Sequence, residues 1–204
     1  FSCSKRHVMS NMFNSPSKPF YQSTISIGLE PIPVLTYISF ATSLFEERDK
    51  HIDKEVIEAI WTQYDGYTWF VQMMMNELYA LTPSGKTCTA MMIDEAQRNV
   101  IMSQEQSYKD LMANITPTQK IVLQAIAREG IAQNITSAKF IKKYNLNSAS
   151  SVQSAVKMLL KNDIVTQTNN EYRIYNFFFS EWLATMYWLL LIVSIIDYLV
   201  WENE

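Results

Sequence analysis

The sequence predicts a mainly α chain, a four-helix module followed by a smaller helical module that closes on a β-hairpin. Three observations carry this. Apolar residues recur at i, i+3 and i+4 through most of residues 34–161. Capping and stop signals separate those stretches at short intervals. Only two short segments, Ile164–Thr168 and Tyr172–Tyr175, read as strand, joined by Asn169-Asn170.

Residues 1–30 are polar and irregular. Val8, Met9, Met12 and Phe13 make a short amphipathic turn, and Ser15-Pro16-Ser17-Lys18-Pro19 is a loop, because two prolines leave neither helix nor inner strand. After Pro31-Ile32-Pro33, a helix from Val34 to about Glu47 turns Leu35, Ile38, Ala41, Leu44 and Phe45 inward. Asp53 caps a second helix with Val56, Ile57, Ile60, Trp61 and Tyr64 on one stripe, and Asp65-Gly66 stops it. The third helix spans about Thr68–Leu81. Thr82-Pro83-Ser84-Gly85 is a turn, and Thr89 caps a fourth helix that ends near Met112.

Thr116-Pro117-Thr118-Gln119 is a capping box with Pro at the first helical position, and its helix ends at Glu129-Gly130. Thr136 or Ser137 opens a short helix with Phe140, Ile141 and Tyr144. Ser150 with Gln153 makes another capping box, ahead of Val152, Ala155, Val156, Leu159 and Leu160. Helix, helix, turn, helix and hairpin in this order is the winged-helix arrangement.

Composition excludes several functions. The four glycines, Gly28, Gly66, Gly85 and Gly130, never fall within one phosphate-binding motif. Two histidines (His7, His51) and two cysteines (Cys3, Cys88), all far apart, do not make a zinc site, and the thiols read as a reduced, cytosolic usage. No basic stretch precedes an apolar run at the start, and Phe1-Ser2-Cys3-Ser4 reads as the end of something larger. Ser84-Gly85-Lys86-Thr87 and the following Met91-Met92-Ile93-Asp94-Glu95 imitate a P-loop and a Mg²⁺-binding strand. Residue 80 is Ala rather than Gly and the preceding segment is helical, so they read as a turn and a helix start. No nucleophile–base arrangement is arguable from spacing. Met73-Met74-Met75 reads as core.

Charge is segregated. Residues 31–115 carry net −6, residues 116–175 net +5 and residues 176–204 net −4, inside an overall −3. In the basic module Lys139, Lys142, Lys143, Lys157 and Lys161 lie on the two helices of a helix-turn-helix, with Ser150, Ser151, Gln153 and Ser154 among them. They suit phosphate and groove contacts to DNA, or a solvated face on a module that touches protein. From Trp182 to Trp201 nearly everything is apolar. Three readings compete for this stretch: a tail anchor with membrane contact through 182–201, a helix packed on missing parts of the protein, or sequence foreign to a normal chain end.

The motifs together carry a resemblance. Phe1-Ser2-Cys3-Ser4-Lys5-Arg6-His7-Val8-Met9 resembles the sensor-1 strand and turn of prokaryotic archaeal-type AAA+/STAND ATPases. Ser15-Pro16-Ser17-Lys18-Pro19-Phe20-Tyr21 resembles their SPxRPFY loop, and Leu29-Glu30-Pro31-Ile32 their entry to a helical lid. Tyr64-Asp65-Gly66-Tyr67-Thr68-Trp69 looks like the lid turn, with Thr68 where Pro is usual. Asn134-Ile135-Thr136-Ser137, Ser148 through Ser154 and Asp163-Ile164-Val165 are similar to the family's terminal winged helix.

The resemblance implies a remnant of the α/β P-loop core over residues 1–30, a helical lid over 31–115, a winged helix over 116–180 and an apolar tail over 181–204. It implies catalytic roles for Ser2 or Ser4 as sensor and for Lys18 as a charge stabiliser, and nucleotide contacts from Gly66, Tyr67 and Thr68. ATP and Mg²⁺ would be held in the intact protein by the missing ATPase core and not tightly by this chain alone. The expected function is the C-terminal part of a nucleotide-driven switch, cytoplasmic or membrane-associated through its tail, with no hydrolysis by the isolated chain. The alternative is a winged-helix DNA-binding or membrane-tethered regulator.

Overall fold

The computed structural model describes residues 30–185 continuously, together with residues 13, 16, 17, 19, 21 and 23. The chain forms two compact units, 1–32 and 33–204. In the first, Pro16, Ser17 and Pro19 lie in turns, as two prolines dictate. Ser2, Ser4 and Lys18, and with them the sensor-strand expectation, lie outside the described residues.

The second unit opens with α1 (Val34–Glu46), which follows Pro33 and has no side-chain cap. Its buried stripe is Tyr37, Ala41 and Phe45, spaced i, i+4, i+8. This corrects the expected inward set, because Leu35 is 73% exposed and Leu44 also faces out. The helix is apolar on most of its circumference, so spacing alone does not say which stripe meets the core. Packing against α2 selects the stripe with the larger Tyr37 and Phe45 rings.

Three short strands carry no signal in the sequence, and two of them lie in this half. β1 (His51–Ile52) pairs in parallel with β2 (Thr87–Cys88), in the register His51 with Thr87 and Ile52 with Cys88. Two-residue strands are too short to show alternation, and their partners are far apart in sequence. The pairing corrects Asp53 as a side-chain cap of α2 (Lys54–Gln63). Asp53 stands at the cap position, but its backbone N–H donates to Cys88 O at 3.3 Å and its carboxylate makes no capping bond. α2 buries Val56, Ile57 and Ile60. It stops where Asp65 (φ 51°) and Gly66 (φ 68°) turn left-handed and the Gly66 N–H returns to Trp61 O at 2.8 Å.

α3 (Thr68–Leu81) buries Phe70, Val71, Met74, Met75 and Leu78, so the Met run is core. Thr89 does not cap α4. A single 3₁₀ turn (Ala90–Met92) intervenes, and α4 (Ile93–Ala113) begins with Asp94 and Glu95 in its first turn, where carboxylates suit the helix dipole.

The second half follows the winged-helix order. α5 (Pro117–Glu129) has the expected capping box. Thr116 N–H donates to Gln119 Oε1 at 2.8 Å, and Gln119 N–H donates to Thr116 Oγ1 at 3.4 Å. β3 (Ala132–Gln133) follows, then α6 (Ala138–Lys143), capped by Ser137. α7 (Ala149–Lys161) is capped by Ser148 with Ser151 three residues on, a correction of the Ser150/Gln153 reading. Both serines sit before the same apolar stripe, and Ser148 holds the extended backbone a cap needs while Ser150 is already helical.

β4 (Val165–Thr168) and β5 (Glu171–Ile174) form the hairpin. Asn169 (φ 49°) and Asn170 (φ 66°) give the two left-handed centres of a tight hairpin turn. β3 adds to β5, giving an antiparallel sheet of order β3-β5-β4. Residues 177–185 form a further helix, α8, which buries Phe178, Phe179, Trp182 and Leu183. Among the described residues no helix is long and apolar enough to cross a membrane. Residues 186–201, most of the stretch considered for membrane contact, lie outside them. One hydrophobic core spans both modules, from Tyr37 to Leu183.

Candidate functional site

Two places gather site residues that the sequence suggests, and a third holds an isolated acid. The first is the turn between α2 and α3. Tyr64 is fully buried, and Gly66, Tyr67 and Thr68 follow it around the corner, with Tyr67 and Thr68 facing solvent. The start of α8 meets this turn. The Phe177 ring lies 5.6 Å from Tyr64, 6.0 Å from Tyr67 and 5.0 Å from Phe70, centroid to centroid. Phe178 lies 5.2 Å from Tyr64 and 5.6 Å from Phe70. Edge-to-face and tilted contacts of this kind add to area burial. Arg173 of β5 reaches the same turn and donates from Nη1 to Asp65 Oδ2 at 3.0 Å. The residues expected to contact nucleotide thus sit on an aromatic seam that joins the helical module to the hairpin and α8.

The second is the outward face of α7. With Val152, Ala155, Val156 and Leu159 buried, the opposite stripe is Ser150, Gln153, Ser154, Lys157 and Lys161, all exposed. Lys139 and Lys142 on α6 are exposed as well. Two of the expected contact residues are otherwise engaged. Ser151 Oγ accepts from Ser148 N–H at 3.2 Å and donates to Ser148 O at 2.8 Å, inside the cap. Lys143 Nζ donates to Glu129 Oε1 at 2.6 Å, and Tyr144 Oη donates to the same oxygen at 2.6 Å. These two bonds hold the Glu129 carboxyl below the usual carboxylate range.

The third holds no residue that the sequence marks as a site. A cleft of about 400 Å³ between α4 and α8 is lined by Asp94, Gln97, Arg98, Ile101, Glu181 and Thr185 among others. Glu181 Oε2 is buried without a hydrogen-bond partner. Burial, and secondarily the charge of Asp94, push the Glu181 carboxyl up to about 6. The sequence signal was a lone Glu in an aromatic and aliphatic run, which marks an acid carried into a core.

The imitation P-loop is a turn. Ser84 Oγ donates to Asp49 Oδ2 at 3.0 Å, the Gly85 N–H bonds Asp49 O, and the segment before it is α3, not a strand. Among the described residues no group of three or more His, Cys, Asp or Glu is placed to hold a metal.

Residues 106–185 match the sequence family described as a probable winged helix domain. The match begins inside α4 and ends at residue 185, the end of α8 as described. This agrees with the packing, in which Tyr108 lies 5.1 Å from Phe179 and 5.7 Å from Trp182, ring to ring. A winged helix domain is therefore present, and it takes in the end of α4 and residues 177–185 of α8 as well as the helix-turn-helix and hairpin. No curated protein matches the chain.

Proposed function

We propose that this chain is the C-terminal arm of an archaeal-type AAA+/STAND switch ATPase, in which a helical lid and a winged helix carry the nucleotide state to a partner. The observation that supports the reading is the shared location of two features. The Tyr64–Thr68 turn, which resembles the lid's nucleotide-contacting turn, is also where the winged helix attaches through Phe177, Phe178 and the Arg173–Asp65 pair. A ligand that moved the turn would move the winged helix with it, because packed aromatic cores shift as units.

In this reading Gly66, Tyr67 and Thr68 border ATP, and Ser2, Ser4 and Lys18 act at the phosphate end. The P-loop and the Mg²⁺ ligands come from the ATPase core. The chain alone binds Mg·ATP weakly and does not hydrolyse it. The test is ATP hydrolysis by this chain and by the same chain joined to the segment encoded upstream of Phe1. Turnover only in the joined protein is expected. Turnover by the chain alone, surviving Lys86→Ala, would refute the reading.

A second reading has its own observation. The exposed Ser150, Gln153, Ser154, Lys157 and Lys161 stripe, with Lys139 and Lys142 beside it, suits a helix laid in a DNA major groove. A gel shift lost on Lys142→Ala and Lys157→Ala, and steeply weakened by salt, tests it.

A further inference from the structure

We infer that the surface offered to nucleic acid is a wing-free one: duplex DNA engaged by α6 and α7 alone, with the hairpin turned to the protein's own contacts. The inference rests on the DNA-binding reading and narrows its mode. The wing of such a domain serves DNA by carrying a cation to the backbone or minor groove. Here the hairpin has one base, Arg173, and its guanidinium is bonded to Asp65 of the α2–α3 turn.

The hairpin tip is equally committed. Asn170 Nδ2 donates to Asn134 Oδ1 at 3.4 Å, and Gln133 Nε2 donates to Glu171 Oε1 at 2.9 Å. The strands are four residues each with a two-residue turn, so the tip does not project far. Glu171 places a carboxylate beside it, which repels phosphate.

Lys120 and Arg128 stand on α5, outside the two helices, so the cations these helices offer a duplex are Lys139 and Lys142 on α6 and Lys157 and Lys161 on α7, since Lys143 is held by Glu129. Lys157 and Lys161 are one turn apart on the stripe that carries Gln153, the side chain suited to an adenine edge. The stripe has no aromatic residue, so base stacking with a single strand has nothing to build on.

Four phosphate contacts predict a modest salt dependence. At about 0.9 per phosphate, the slope of log K against log salt is about −3.6. The experiment is fluorescence anisotropy of the full chain with a labelled duplex of about 20 bp, between about 50 and 200 mM NaCl. A slope of about −3 to −4 is expected. Lys157→Ala should flatten it by about 0.9 and weaken binding, while Arg173→Ala and Asn170→Ala leave affinity within about twofold. A slope steeper than about −6, or a loss of more than about fivefold on Arg173→Ala, overturns the wing-free mode while leaving DNA binding standing. Preference for a single strand overturns it too. No duplex binding at the lowest salt overturns both this inference and the DNA-binding reading.

Discussion

Replacing Glu181 by Gln should stabilise the protein above pH 6 and leave it unchanged at pH 4.5 and below. The Glu181 carboxyl sits between α8 and α4, near Asp94 and Arg98, with Oε2 buried and unpartnered. Its value rises from 4.5 to about 6, first through burial and then through Asp94. A carboxyl raised by folding prefers its neutral form in the native state. Its contribution is fully favourable below the unfolded value, fades as pH rises through the folded value, and leaves a penalty at neutral pH. The difference of about 1.5 units corresponds to about 2 kcal/mol at 1.36 kcal/mol per unit. Glu181 is only half-buried, and solvent screening reduces this to about 1 kcal/mol.

In a chain of this size that is about 2–4 °C in Tm. Thermal unfolding of wild type and Glu181→Gln at pH 4.5, 6 and 8 reads it. The gap should open between the first two and be complete at the last. A Glu181→Gln protein less stable than wild type at pH 8 would refute the reasoning, because it would mean that the carboxylate is held by bonds that favour its charge.

Three further outcomes follow from the packing. Phe178→Ala should cost about 3–5 kcal/mol in urea unfolding, since Phe178 is fully buried on the seam. Ser148→Ala should cost about 1 kcal/mol and Ser150→Ala almost nothing, because only Ser148 caps α7; equal losses would contradict the cap. A double-mutant cycle on Asp65 and Arg173 should give a coupling of at most about 1 kcal/mol that fades with salt, as an exposed pair implies.

The elements with strong local signals were legible in the sequence. The Thr116–Gln119 box, the Ser137 cap, the Asp65-Gly66 stop and the Asn169-Asn170 turn all depend on side chains within a few residues of one another. Some misses are local, since Ser148 rather than Ser150 caps α7 and a 3₁₀ turn follows Thr89, but most are non-local. β1 with β2 and β3 with β5 are two-residue pairings between distant segments, and no periodicity announces them. The inward stripe of α1 depends on where α2 lies. Of the candidate site, the exposed face of α7 could be read from its buried stripe. The diversion of Lys143 to Glu129 and of Arg173 to Asp65 could not, since each pair is set by tertiary placement. The apolar run from residue 182 is plain in the sequence, and its first residues, Trp182 and Leu183, are part of α8 and the core.

The central claim is that nucleotide state passes from the Tyr64–Thr68 turn to the winged helix through Phe177 and Phe178. Amide hydrogen exchange tests it most directly, on the chain combined with an ATPase core of the proposed family, with and without Mg·ATP. The account predicts that protection changes together at residues 64–70 and 177–183, and that Phe177→Ala confines the change to residues 64–70. A wild-type change at 64–70 that leaves 177–183 untouched, or no response to Mg·ATP in either segment, would contradict it.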